Sequence, residues 1–291
     1  MWAALNWKDY ALLDCSDGER LEKWGNYTLI RPDPQVIWKN EKKHPLWTHA
    51  DAVYHRSRAG GGGWNGKKLP ETWKVSYEPL GLTFGIKAMG FKHTGLFPEQ
   101  AVNWDWFTGL IRRACAEGKP PRVLNLFAYT GGATVACAKA GAEVCHVDAS
   151  RGMVACAKEN AVLCGLEKAP IRYIVDDCKK FVEREIRRGS RYDAVIMDPP
   201  SYGRGPNGEM WKLEESIDAL VKLTAGVLRK NPLFFLINSY TTGLSPSAMG
   251  YILQNVMLDS FGGSVTADEI GLPAAQTGFV LPCGSSARWQ Q

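Results

Sequence analysis

The sequence predicts an α/β fold, in which a mostly parallel sheet flanked by helices follows a small antiparallel β domain. Three observations carry the prediction. Between Pro121 and Asp148 an apolar strand, a glycine turn, a helix and a second strand follow one another directly, which is the unit that builds open parallel sheets. Beyond Asp148, short apolar runs keep alternating with helical patterns, whereas residues 1–92 hold few helical patterns and many β and turn signals. The expected division is a small Trp-rich β domain over 1–92 and the α/β domain over 93–291.

In the first region Tyr27–Arg31 and Gln35–Lys39 are strand candidates separated by Pro32-Asp33-Pro34, which favours a turn and predicts a hairpin. Gly60–Lys68 reads as a flexible basic loop, and Trp73–Tyr77 and Leu82–Ala88 alternate in strand fashion. Trp24, Trp38, Trp47, Trp64 and Trp73 interleave with Arg31, Lys39, Lys42, Lys43, Arg56, Arg58, Lys67 and Lys68. Two readings stand side by side: aromatics that stack bases while cations hold phosphates, or tryptophans that fill a thin core while cations solvate its face.

Gly90–Gln100 joins this sheet to an expected helix over Trp104–Ala116, and its mix of His93, Thr94, Phe97 and Gln100 suits a pocket lining. Val123, Leu124, Leu126 and Phe127 then form a run suited to a strand buried on both faces. Tyr129-Thr130-Gly131-Gly132 turns the chain into a helix over Ala133–Ala140, and Asp148 closes the next strand. At that edge of an open α/β sheet a carboxylate is placed to accept hydrogen bonds from a ribose diol. The turn lacks the G-x-G-x-x-G spacing that seats a pyrophosphate. S-adenosylmethionine has no phosphate to cradle and asks only for a glycine turn and an acid. An ordinary βαβ unit with a tight turn and an exposed Asp is the plain alternative.

A helix over Met153–Cys164 and a strand over Ile171–Val175 deliver Asp176 and Asp177 to the same edge, where a second acid suits the adenine amino group. After an expected helix at Phe181–Arg187, the strand Tyr192–Met197 runs into Asp198-Pro199-Pro200-Ser201-Tyr202. Successive prolines fix φ and remove two amide donors, so Asp198 is held rigidly at the strand end. In isolation the same segment is a plain strand-terminating turn. A helix at Glu214–Leu228, a strand at Leu233–Ile237 and a last pair at Val265–Ile270 and Phe279–Leu281 complete the pattern.

Length and composition set the frame. The 291 residues, 45% hydrophobic and 22% charged, suffice for one large domain and a small one. A net charge of +5 permits a nucleic-acid partner without demanding one. Of eight cysteines, Cys137, Cys145, Cys156, Cys164 and Cys178 fall within apolar patterns and no C-x-x-C pair offers zinc ligands. They read as buried thiols of a reducing compartment, with no metal expected. The chain shows neither a membrane-length apolar run nor a signal-peptide core in its first nine residues, which predicts a cytoplasmic protein.

The order NLFAYTGG, VDAS with KENA, VDDC and AVIMDPPSYGRG resembles class I S-adenosylmethionine-dependent methyltransferases of the RlmI/RlmK-like group, which act on large-subunit ribosomal RNA bases. KHTGLFPEQ is similar to that group's KTG-x-(F/Y)-x-x-Q element. The resemblance covers roughly residues 80–290 and implies a seven-stranded, Rossmann-like sheet with an antiparallel last hairpin. It implies S-adenosylmethionine as cofactor and RNA as partner. By motif match it puts Phe127, Tyr129 and Gly131 at the methionine end, Asp148 at the ribose with Ala149 and Ser150 beside it, and Asp177 at the adenine. Thr94, Phe97 and Gln100 would line the pocket, Asp198 and Pro199 would form the transfer face, and Tyr202 would stack an extruded base.

The chain departs from that group in two ways. The Trp-rich sheet stands where an RNA-binding PUA module often precedes the catalytic domain. Cytosine-C5 methylation needs a thiolate, yet Ser201 and Asn238-Ser239-Tyr240 occupy the places expected of a Cys, and Cys283 lies outside the core patterns. The expected reaction is therefore methyl transfer to a nitrogen, with oxygen as the lesser alternative, of a nucleobase in structured RNA, with Arg204, Lys212 and the loop Gly203–Glu209 either meeting phosphate or simply solvated. C5 methylation through Cys283 and a non-catalytic RNA-binding role on the same fold are the alternatives. A nicotinamide oxidoreductase would need a phosphate-binding glycine pattern that the chain lacks.

Overall fold

In the computed structural model, which describes residues 1–57, 61–90, 92–204, 210–241 and 243–291, the apolar runs of the second half become buried strands. The chain divides into two units, Met1–Val102 with Ile270–Cys283, and Asn103–Glu269 with Gly284–Gln291.

The second unit is built on strands β1 (Arg122–Leu126), β2 (Glu143–Asp148), β3 (Ile171–Val175), β4 (Ala194–Met197), β5 (Phe234–Ser239), β6 (Ser264–Pro273) and β7 (Val280–Gln290), of which β6 up to Glu269 and β7 from Gly284 belong to it. The helices are α1 (Ala101–Ala116), α2 (Gly132–Lys139), α3 (Arg151–Leu163), α4 (Cys178–Arg187), α5 (Leu213–Ala225) and α6 (Pro246–Phe261). The strands lie in the order β6-β7-β5-β4-β1-β2-β3. β1 to β5 pair in parallel and β7 runs antiparallel to β5. This is the seven-stranded, mostly parallel sheet with an antiparallel last strand that the family resemblance implies.

Both sheet faces are covered, which explains the nearly unbroken apolar runs. On one face Leu124, Leu126, Val147, Val195, Met197, Phe235 and Ile237 join Phe181, Leu220, Val221 and Leu253 of the helices in a single cluster. On the other, Phe234 stacks on Phe107 of α1 with centroids 5.8 Å apart and planes 10° apart. The chain leaves β1 towards β2 and β3 and returns across it to β4. The direction of winding thus switches between β1 and β4, where Leu126 and Met197 are register partners. A crevice outside the carboxyl ends at such a switch is where open sheets bind ligands.

The first unit holds a sheet in the order Tyr10–Ser16, Glu19–Trp24, Tyr27–Pro32, Ala52–Arg56 and Gly62–Gly66, antiparallel except for the third pair, plus the hairpin Trp73–Tyr77 and Leu82–Ile86. Trp2–Ala3 adds a short parallel strand on Ile270–Gly271. Two expectations fail here. Gln35–Lys39 is not a strand: Glu19–Trp24 pairs with Tyr27–Pro32 instead, through a turn in which Gly25 takes φ 61°. Val36 is tucked inward by local bonds, its N–H donating to Asp33 O and its O accepting from Gly18 N–H. The loop expected over Gly60–Lys68 contains a strand, because glycine lets the chain run against Tyr54 and His55: a Cβ on Gly62 would stand 2.2 Å from His55 O.

The tryptophans behave as core. Trp24 and Trp73 are buried. The half-buried ones are pinned by their indole N–H groups, Trp38 to Cys15 O (2.9 Å), Trp47 to Asp14 Oδ2 (2.8 Å) and Trp64 to Met89 O (2.8 Å). Arg58 lies outside the described residues. No helix among the described residues is long and apolar enough to cross a membrane.

Candidate functional site

The switch point is marked by backbone strain. Phe127 and Tyr129 take φ 54° and 50°, and Asp17 is the one other described non-glycine residue with positive φ. A left-handed conformation costs an L-residue about 1–2 kcal/mol, and strain of this kind persists where surrounding bonds impose it. Here those bonds are identifiable. Phe127 N–H donates to Cys178 Sγ at 3.2 Å, Ala128 N–H to Val147 O at 3.1 Å, and Tyr129 N–H to Asp148 Oδ2 at 2.8 Å. Asn160 Nδ2 of α3 donates to Thr130 O at 2.8 Å.

The two glycines let the helices close on this turn. Gly131 has φ 82°, and a Cβ there would lie 2.8 Å from Ala157 Cβ; one on Gly132 would lie 3.0 Å from Trp104 Cζ2. Beneath them His146 is buried, with Nδ1 2.9 Å from Thr134 Oγ1 and Nε2 unpartnered among the described residues. Burial depresses its pKa to about 4.

Asp148 stands half-buried at the end of β2. Its Oδ2 accepts from Tyr129 N–H and its Oδ1 from Ser150 N–H, both at 2.8 Å. A carboxylate offers about four lone-pair sites, so one on each oxygen remains for a vicinal diol, and the donor set fits a ribose. Ser150 Oγ also caps α3, accepting from Met153 N–H at 3.4 Å, and Ala149 beside it is exposed. At the end of β3, Asp176 is ion-paired with Arg184. The exposed Asp177 caps α4, its Oδ1 accepting from Lys180 N–H at 2.8 Å.

Asp198 follows β4, its N–H 3.4 Å from Leu126 O across the switch point, and Pro199 behind it is buried. The segment beyond is closed by Trp211, whose Nε1–H donates to Pro200 O at 2.6 Å and whose ring centroid lies 6.5 Å from that of Phe127. Tyr202 is 53% exposed, and its hydroxyl lies 3.2 Å from Met210 Sδ across the short pair Tyr202–Arg204 and Met210–Lys212. Residues 205–209 of the expected phosphate-contacting loop, with the Arg204 side chain, lie outside the described residues. Lys212 is engaged by Glu215 at 2.8 Å.

Phe127, Tyr129, Gly131, Asp148, Ala149, Ser150, Asp177, Asp198, Pro199 and Tyr202 thus all belong to the second unit and sit at or beside the carboxyl ends of β1 to β4. Thr94, Phe97 and Gln100 belong to the first. There Thr94 and Glu99 are buried with Thr94 Oγ1 and Glu99 Oε2 unpartnered among the described residues, and burial raises the Glu99 pKa. His93 packs edge-on against Phe97 with centroids 5.4 Å apart. Burial, with Arg31 and Lys92 close by, lowers its pKa to about 4. Cys283 is buried with its thiol pushed well up by desolvation, the opposite of what a nucleophile needs.

Sequence reasoning missed Trp211, Asn160 and Cys178. Asn160 had left a signal as a polar residue on the apolar stripe of α3.

A parallel sheet with its switch point at β1 and β4, a strained glycine turn and an acid at the end of the next strand define an α/β enzyme that binds a nucleoside cofactor. Residues 43–222 match the family model of the S-adenosylmethionine-dependent methyltransferases, and the chain belongs to that family. It is similar to the crystal structure of the SAM-dependent methyltransferase from Agrobacterium tumefaciens, 36% identical with a TM-score of 0.90 over 99% of this chain and 92% of that one. Among curated relatives it is 32% identical over 186 residues to ribosomal RNA large subunit methyltransferase K/L of Shewanella frigidimarina, covering 61% of this chain and 25% of the relative. Over 113 residues it is 36% identical to ribosomal RNA large subunit methyltransferase I of Aeromonas hydrophila, covering 38% of this chain and 26% of the relative. The match thus spans about a quarter of the length of these curated relatives.

Proposed function

We propose that this methyltransferase acts in the cytoplasm on a nucleobase nitrogen of ribosomal or other structured RNA. The observation that carries the reading is the chemistry at the ends of β4 and β5: Asp198-Pro199-Pro200-Ser201 and Asn238-Ser239-Tyr240 hold acceptors, amides and hydroxyls but no thiol. Methylation at a nitrogen needs no covalent enzyme adduct, whereas methylation at cytosine C5 does. The names of the K/L and I relatives support RNA as the acceptor, and the net charge of +5 is compatible with it.

Bound S-adenosylmethionine supplies an electrophilic methyl group on a sulfonium. Asp148 holds the ribose, with Ala149 and Ser150 beside it, and Asp177 takes the adenine. Phe127, Tyr129 and Gly131 line the methionine end. Asp198 orients the acceptor nitrogen and, where that nitrogen is an exocyclic amine, takes its proton, while the fixed Pro199 and Pro200 keep the carboxylate from swinging away. Tyr202, the exposed aromatic ring four residues further on from Asp198, stacks the extruded base. The protein's work is mainly to hold donor and acceptor in line.

Mass spectrometry of ribosomal RNA nucleosides from cells with and without the gene tests the reading. One methylated base, modified on nitrogen, should disappear with the gene; an unchanged nucleoside profile sinks it.

A further inference from the structure

Asn238 lies at the carboxyl end of β5, one residue past Ile237, whose register partner on β4 is Met197. Asn238 and Asp198 are therefore neighbours on adjoining strand ends, about 5 Å apart along the sheet. The orientation of the Asn238 amide follows from a group that has no choice. Arginine only donates, and Arg288 Nε–H donates to Asn103 Oδ1 at 2.9 Å. The other end of the Asn103 amide is then Nδ2, which donates to Asn238 Oδ1 and to Ser286 Oγ at 3.0 Å each. Ser286 in turn donates its hydroxyl proton to Asn238 Oδ1 at 2.6 Å. Both lone pairs of Asn238 Oδ1 are filled, and Nδ2 points away from the relay.

The relay is dry: Asn103 and Ser286 are fully buried, and Asn238 is 3% exposed. The Nδ2 hydrogens of Asn238 meet no acceptor among the described residues. Nδ2 is not among the fully buried atoms without a partner, so unlike the rest of the relay it stays open to a partner from outside. Here the network stops beside the transfer site.

We infer that Asn238 Nδ2 is the donor that reads the acceptor molecule. It hydrogen-bonds a carbonyl oxygen or an unprotonated ring nitrogen next to the atom that is methylated. The inference deepens the proposed function and rests on Asp198 holding the acceptor nitrogen. Asp198 accepts and Asn238 donates, so the two side chains select an edge with a nitrogen beside a lone pair. An edge that turns an amino group towards Asn238 sets donor against donor and is rejected.

Asn238→Asp is the discriminating variant. It keeps the oxygen that Asn103 and Ser286 bond and replaces only the outward NH₂ by an oxygen. A lysate of cells lacking the gene serves as acceptor pool with tritium-labelled S-adenosylmethionine, so that label enters the acceptor whatever its identity. Relative to the wild-type chain, Asn238→Asp is expected to lose at least about tenfold in initial transfer rate. The charge added at a nearly buried site should lower its melting temperature, but its S-adenosylhomocysteine affinity should stay essentially unchanged. Asn103→Asp carries the same test if that variant fails to fold: with Oδ1 still on Arg288, its second oxygen turns the Asn238 amide around, and the same loss of rate is expected.

Transfer within about twofold of wild type, or a rate loss matched by an equal loss of S-adenosylhomocysteine affinity, overturns the inference. Ribonuclease treatment separates the two readings: label that survives it removes RNA as the acceptor while the Asn238 comparison still stands.

Discussion

Removing the Asp148 carboxylate tests both its bracing of the turn and the ribose contact proposed for it. In Asp148→Ala the N–H groups of Tyr129 and Ser150, each 2.8 Å from a carboxylate oxygen, lose their acceptor, and a turn with Tyr129 at φ 50° loses its brace. A hydrogen bond to a charged group contributes about 1.5–3 kcal/mol, and partial exposure of Asp148 puts each of these near the lower end. Relaxation of Tyr129 returns about 1 kcal/mol, which leaves a net loss of about 2 kcal/mol in folding stability. The ribose contact proposed for Asp148 would lose charge-assisted bonds of the same kind, so S-adenosylmethionine affinity should fall about tenfold to a hundredfold. Urea unfolding reads the first quantity and calorimetric titration with S-adenosylhomocysteine the second. If stability falls while affinity stays at the wild-type value, Asp148 is a brace for the turn and nothing more, and the ribose assignment is refuted.

Other outcomes follow from the same site. Asp198→Ala should lower turnover far more than S-adenosylhomocysteine affinity; parallel losses in both would make Asp198 a cofactor ligand only. Cys283→Ser should keep nearly full transfer activity and the enzyme should form no covalent complex with 5-fluorocytosine RNA, which gel analysis would detect. Gly131→Ala must fit a methyl 2.8 Å from Ala157 Cβ at φ 82°, and denaturant unfolding should show a loss of about 1–3 kcal/mol. His146 and His93 both fold with pKa values depressed from 6.5 to about 4, so the unfolded chain binds more protons over that interval. Stability should therefore be full above pH 6.5 and decline as pH falls towards 4, by up to about 3 kcal/mol per group. Replacing His146 with Leu should flatten the decline, and an unchanged pH profile would contradict its burial in the neutral form.

Much of the second unit was legible because each strand is buried on both faces and announces itself as an unbroken apolar run bounded by a turn residue. Asp148, Asp177 and Asp198 could be placed at one edge for the same reason: in a parallel sheet every residue that follows such a run emerges on the same side. The first unit was harder. Tyr10–Ser16 and Glu19–Trp24 are mixed sequences whose pairings are set by the turns at Asp17-Gly18 and at Gly25, and Gly62–Gly66 has almost no side chains from which alternation could be read. Nor could local pattern reveal the second duties of the site residues. Asp177 and Ser150 double as helix caps, Gly131 is a packing necessity against Ala157, and Trp211 meets Pro200 only because a short pair of strands brings it back. The Asn103–Asn238–Ser286–Arg288 relay joins residues separated by as many as 185 positions, a distance over which one sequence carries no pairing signal.

The position of the bound cofactor is the most direct test of the site. A crystal structure with S-adenosylhomocysteine should place the ribose hydroxyls within hydrogen-bonding distance, about 2.6–3.2 Å, of both Asp148 oxygens, with the sulfur over the β1 and β4 ends facing Asp198. A ribose bound away from Asp148, or a sulfur turned from Asp198, would contradict it.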